Sequence, residues 1–128
     1  MKQSNTLDTV CITKILKHIQ TISDAQSMFN IAHTDDLESN HICQLAITQA
    51  ITNIYELRQR IQAETIAKMP LFTQLKLGLK AARNIASHDY DSLDFGIIYK
   101  IINRLTSQQV IIELEAVKNG IPTDDSSD

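Results

Sequence analysis

Tryptophan is absent from this 128-residue chain, and aromatic residues make up only 5% of it. Any core must therefore be built from Ile, Leu and Ala rather than from stacked rings. Glycine occurs three times and proline twice. That scarcity argues against an architecture of many short strands and tight turns. Period-2 alternation is almost missing too. No apolar run approaches the ~20 residues of a membrane span, and the N-terminal MKQSNTLDTV lacks the apolar stretch of a signal peptide. The two cysteines, Cys11 and Cys43, are isolated and have no metal-ligand spacing. Both fall among apolar helical positions, which makes them buried free thiols and points to a reducing, cytoplasmic setting.

What is present is helix-forming sequence. Hydrophobic residues make up 43% and charged residues 21%, an ordinary balance for one domain. A chain of this length buries roughly two-thirds of its unfolded surface without metals or disulfides. The predicted fold class is all-α: an up-and-down bundle of four or five helices over residues 1–120, followed by an acidic, disordered tail over 121–128.

The first helix is expected from about Asn5 to Ile22, with Ile12, Ile15, Leu16 and Ile19 on one face. A polar region follows, with one short turn around Ala25 to Phe29. The second helix starts near Asp36 and extends as far as Lys68, roughly 50 Å at ~1.5 Å per residue. It carries two apolar stripes. Ile47, Ala50, Ile51, Ile54, Leu57 and Ile61 form one; Leu45, Thr52 and Tyr55 belong to the other, where His41 also lies. A helix apolar on two sides packs against its own core and against something else, most simply a second copy of the chain. Pro70 opens a third helix that ends near His88, with Phe72, Leu75, Leu79, Ala82 and Ala86 at spacings of three and four. Asp91 or Ser92 caps a fourth, with Asp94 in its first turn and Ile97, Ile98, Ile101, Ile102 and Leu105 inward. A break near Thr106 and Ser107 is foreseen. VIIELEAV, residues 110–117, reads as helix rather than strand, and Gly120 with Pro122 stops it.

The net charge of −3 does not advertise nucleic-acid binding, but its distribution is uneven. Residues 58–83 hold six basic side chains (Arg58, Arg60, Lys68, Lys76, Lys80, Arg83) against Glu64, a net +5. Residues 1–57 carry −3 and residues 84–128 carry −5. Such a basic middle either forms a solvated helix face or steers a polyanion locally. Lys76 and Lys80, one turn apart and leading to Arg83, are candidate phosphate contacts.

The basic stretch runs into RNIASHDY, residues 83–90. Asn84 and His88 share a helix face. Arg83 is rotated from His88 by about 140° on an ideal helix, but a long side chain can reach across a helix end. Histidine gives or takes a proton near neutral pH. Arginine presents a fork of donors that matches phosphate oxygens and can neutralise charge in a phosphoryl transition state. Phosphate recognition plus proton transfer suits cleavage of RNA, which brings its own nucleophile, the 2′-hydroxyl. Asp89 and Asp91 read as turn and cap residues, and no carboxylate cluster lies near them in sequence to hold magnesium. His18, His33 and His41 share no regular spacing and read as packing or exposed residues.

Arg83-Asn-Ile-Ala-Ser-His88-Asp-Tyr90 resembles the signature of HEPN-domain ribonuclease toxins, an arginine, four residues, a histidine, one residue and a tyrosine. The tyrosine two after the histidine is similar to the HepT subfamily, small all-helical toxins paired with a minimal nucleotidyltransferase antitoxin. AITQAITNIYELRQRI, residues 46–61, looks like the long helix upstream, including a glutamate at Glu56. The resemblance implies a homodimeric, metal-independent endoribonuclease that needs no cofactor, with the two signature segments facing each other across the subunit interface. It implies that Arg83 and His88 are the catalytic pair, that Asn84 supports them, and that the antitoxin adenylylates Tyr90. The aspartates after the motif, Asp89, Asp91 and Asp94, depart from the basic surroundings often seen in such toxins. The competing expectation is a non-catalytic helical module that presents a substrate or nucleotide to a partner nucleotidyltransferase. There Arg83 and His88 would hold a phosphate and cleave nothing. A purely structural dimer, with the motif as a capping network, is the third.

Overall fold

The computed structural model describes residues 2–88 and 94–120, with the side chains of residues 2–6 and 85–88 left out. Over the described residues the chain is all-α, without strands. The elements are α1 (Lys2–Met28), α2 (Thr34–Glu38), α3 (His41–Gln59), α4 (Ala63–Ile66), α5 (Pro70–Thr73), α6 (Lys76–His88), α7 (Phe95–Leu105) and α8 (Gln108–Gly120). No helix among them is long and apolar enough to cross a membrane. Tyr90, Asp89, Asp91, Ser92 and the expected acidic tail lie outside the described residues.

α1 runs past the expected end at Ile22. Ile12, Ile15, Ile19, Ile22 and Ala25 are all buried along one face, so the core continues to reward helix there. It stops where Asn30 takes a left-handed conformation (φ 55°), which asparagine tolerates. The Ile31 N–H then donates to the Gln26 carbonyl at 2.9 Å, and the Asn30 N–H to Ser27 at 3.3 Å. That is the paired closure of a Schellman end, with Ile31 buried beside it.

The long second helix of the sequence reading is three helices instead. Asn40 begins α3 by accepting from the Cys43 N–H at 2.9 Å, a cap that separates it from α2. Gln44 is buried, and its Nε2 donates to the carbonyls of Leu37 and Glu38 at 2.8 and 2.9 Å, which satisfies the end of α2. At the other end, buried Asp8 reaches from α1. It accepts from the Gln62 N–H at 3.1 Å, from Gln62 Nε2 at 3.3 Å and from the Thr65 hydroxyl. Gln62 is the N-cap of α4, so Asp8 holds the chain in a new helix start just beyond Arg60. The third predicted helix is likewise split between α5 and α6. Glu113 on α8 accepts from the N–H groups of Leu71 and Phe72 at 2.9 Å each, tying the first turn of α5 down. The fourth begins with Asp94 as its cap, accepting from the Ile97 N–H at 3.2 Å; Asp94 is therefore not in the first turn as expected.

α1 packs on α3 and α8, α3 on α6, α2 on α3 and α7, and α6 on α7. One core joins them: Ile12, Ile15 and Ile19 of α1, Ile47, Ile51 and Ile54 of α3, Phe72, Leu79, Ile98, Ile102, Leu105 and Leu114. Of the residues expected inward on α7, Ile97 is the exception and is exposed. A Cβ at Gly78 would collide with Ile101, so glycine there lets α6 and α7 approach closely. α8 contains 110–117 as helix, and the chain breaks at Thr106 and Ser107 as foreseen. Both cysteines are free and buried; burial pushes their thiols above the ordinary cysteine range.

Candidate functional site

α6 carries the arginine of the motif. Phe72, Leu75, Leu79 and Ala82 face the core, and Arg83 lies at the edge of that face, half-buried beside α3. Two contacts hold it. Its guanidinium carbon lies over the Tyr55 ring, 5.5 Å from the centroid, within cation–π range. Its Nη1 donates to Asn84 Oδ1 at 3.2 Å. Asn84 thus supports Arg83 directly. An arginine has five N–H donors, so this arrangement orients the fork and leaves donors for an anion.

Lys76, Lys80 and Arg83 stand at i, i+4 and i+7 of one helix, which places them in a row on one face. Both lysines are exposed. α6 is described as far as His88, one turn beyond Asn84; the expected end of this helix, the His88 side chain and Tyr90 lie outside the described residues. The structure therefore joins Arg83, Asn84 and Tyr55, and places the backbone of His88 on the same helix.

Tyr55 and Glu56 part company. Tyr55 is half-buried toward α6, whereas Glu56 is exposed and lines a groove between α1 and α3 with Lys14, His18, Asn53, Leu57 and Arg60. In that groove, burial and then the charge of Lys14 push the His18 pKa below the ordinary histidine value. The unfolded chain protonates His18 near ~6.5, while the folded chain resists until lower pH. The unfolded state then binds more protons in that window, so this contribution to stability is present above pH ~6.5 and lost as pH falls through the folded pKa. Thermal melts at pH 7.5 and pH 5 are expected to show a fall in midpoint that His18→Gln reduces. An equal fall in both proteins would remove His18 from the cause. His33 and His41 are exposed.

The apolar stripe assigned to a second copy is partly open. Leu45 is 48% exposed, Ile42 on its border 67%, and Leu77 on the outer face of α6 77%; Thr52 is half-buried.

Two charged residues on core faces were not singled out as buried. Asp8 is 0% exposed and Arg58 only 7%. A signal was available for both. Asp8 precedes Ile12, Ile15 and Ile19 by four, seven and eleven residues, and Arg58 follows Ile54 and Ile51 by four and seven. Each position belongs to an apolar helical face. Among the described residues no group of three or more His, Cys, Asp or Glu gathers to hold a metal ion. Comparison with protein-family models, with curated proteins and with solved structures finds no match for this chain.

Proposed function

We propose that this chain is a metal-independent endoribonuclease of the HEPN type, the toxin of a pair whose antitoxin is a minimal nucleotidyltransferase. The observation that carries the reading is Arg83 held half-buried by Tyr55 and Asn84 on the helix that also carries His88, within the signature Arg83-x4-His88-x-Tyr90. The row Lys76, Lys80, Arg83 adds a path for a phosphate backbone.

In this reading His88 takes the proton of an RNA 2′-hydroxyl. The freed oxygen bonds to the adjacent phosphorus, and the bond from phosphorus to the 5′-oxygen breaks. The leaving oxygen receives a proton. Arg83 donates to the non-bridging oxygens as charge builds on them, where a fixed donor is most effective. Two chains meet through the outer stripe of α3 and the outer face of α6, where exposed Leu45 and Leu77 gain a partner and the two motifs face each other. Adenylylation of Tyr90, seven residues after Arg83 in the chain, adds bulk and negative charge and opposes RNA binding by like-charge repulsion.

The test is cleavage of tRNA and total RNA by the purified chain in excess EDTA, with the intact mass confirming an unmodified Tyr90. Cleavage supports the reading. Intact RNA sinks it, and leaves the same arginine holding a phosphate for a partner nucleotidyltransferase. Toxicity on expression that a co-expressed nucleotidyltransferase relieves would separate the toxin from such a carrier.

A further inference from the structure

Arg58 lies on the inward face of α3, 7% exposed. Its Nε–H meets no acceptor, and among the described residues no carboxylate pairs with it. Burial is the main influence on the guanidinium and lowers its pKa from the ordinary arginine value, with Tyr55 acting in the opposite sense. Arginine starts so far above neutrality that it stays cationic. A buried N–H left without an acceptor carries a free-energy cost. A fold tolerates that cost where something supplies the missing acceptor.

Tyr55 connects this cation to the candidate site. It stands one turn before Arg58 on α3, and Arg83 of α6 lies over its ring. Arg58 thus follows the tyrosine by one turn of α3, and Arg83 meets the same tyrosine from α6. Their planar forks match a tetrahedral oxyanion better than a lysine would. The class of ligand follows from the surroundings. Beyond Arg83 the positive charge continues as a line, Lys80 then Lys76, rather than closing into a cup. A line of cations suits successive phosphates along a strand; a cup suits a lone ion.

We propose that Arg58, one turn from Tyr55 on α3, and Arg83, over the Tyr55 ring, form a phosphate site between α3 and α6 that takes a backbone phosphate of a nucleic-acid strand. The proposal deepens the ribonuclease reading in naming the strand as substrate; the phosphate site itself stands without it.

The experiment follows the arginine Nε–H signals of full-length protein by ¹H–¹⁵N NMR, with the Arg58 signal assigned by its loss in Arg58→Met. The probes are inorganic phosphate and a 2′-O-methyl RNA octamer, which lacks the attacking hydroxyl. The Arg58 signal is expected to shift and to exchange more slowly with water on addition of either probe. Octamer binding is expected to weaken tenfold or more in Arg58→Met, the range of a charge-assisted hydrogen bond. The thermal midpoint of that variant should not fall, because it removes a buried N–H that has no acceptor and keeps an apolar stem. A shift with phosphate and none with the octamer would overturn the strand and leave a free-anion site. No shift with either, or a signal already protected in phosphate-free protein (a carboxylate of a second chain filling the place), would overturn the site. If the wild type cleaves no RNA but the signal still moves, the ribonuclease reading fails and the phosphate site survives.

Discussion

In excess EDTA, His88→Ala is expected to cleave RNA about 10²- to 10⁴-fold more slowly than the wild type, the usual worth of a placed general acid or base. The expectation rests on two features. His88 stands on α6, the helix that carries Arg83, one turn beyond Asn84, and histidine gives or takes a proton near neutral pH. Arg83, five residues earlier, is already oriented by Tyr55 and Asn84 and supplies phosphate recognition without further ordering. The variant should fold. Alanine is the best helix former, so the thermal midpoint should move little. Initial rates on one tRNA, with both proteins at matched helical content by circular dichroism, are the measurement. A rate within threefold of the wild type would sink the assignment of His88, whatever the wild type's activity. Loss of rate together with loss of the folded state would redirect the test to His88→Gln, which keeps size and hydrogen bonding but does not titrate.

The largest expected effect on stability comes from a residue remote from that site. Asp8→Ala is expected to lower stability by about 2–4 kcal/mol. The Asp8 carboxylate is wholly buried and collects the Gln62 N–H, the Gln62 side-chain amide and the Thr65 hydroxyl. A hydrogen bond to a charged group contributes about 1.5–3 kcal/mol, and a buried donor left without an acceptor costs about 1–3 kcal/mol. Thr65 is itself buried, so water cannot fully replace the carboxylate. For a chain of this size the change corresponds to roughly 10 °C in thermal midpoint. Asp8→Asn keeps one acceptor oxygen and should recover part of the loss. A drop of less than ~1 kcal/mol on Asp8→Ala in urea unfolding would show that α1 is tied to the α3–α4 turn mainly by its apolar face.

These two residues also mark how far the sequence could be read. The basic run into RNIASHDY, the break at Thr106–Ser107 and the helical state of residues 110–117 were all legible. Each depends on local pattern, capping or composition. The pairing of Arg83 with Tyr55 was not, because it joins two helices, and side-chain direction across an interface has no signature in spacing along one chain. The expected helix from Asp36 to Lys68 failed for the same reason. Its interruption depends on Asn40, which is local, but also on Asp8, which lies 54 residues from Gln62.

By itself the sequence determined the helical class, the apolar faces and the motif, because these follow from periodicity, from scarce glycine and proline, and from residue chemistry at fixed spacing. Only the tertiary structure decided where the long helix breaks, which aspartate and which arginine are buried, and which ring the motif's arginine rests on. Those depend on partners distant in sequence, and the cost or gain of burying a charge is set by whether such a partner arrives.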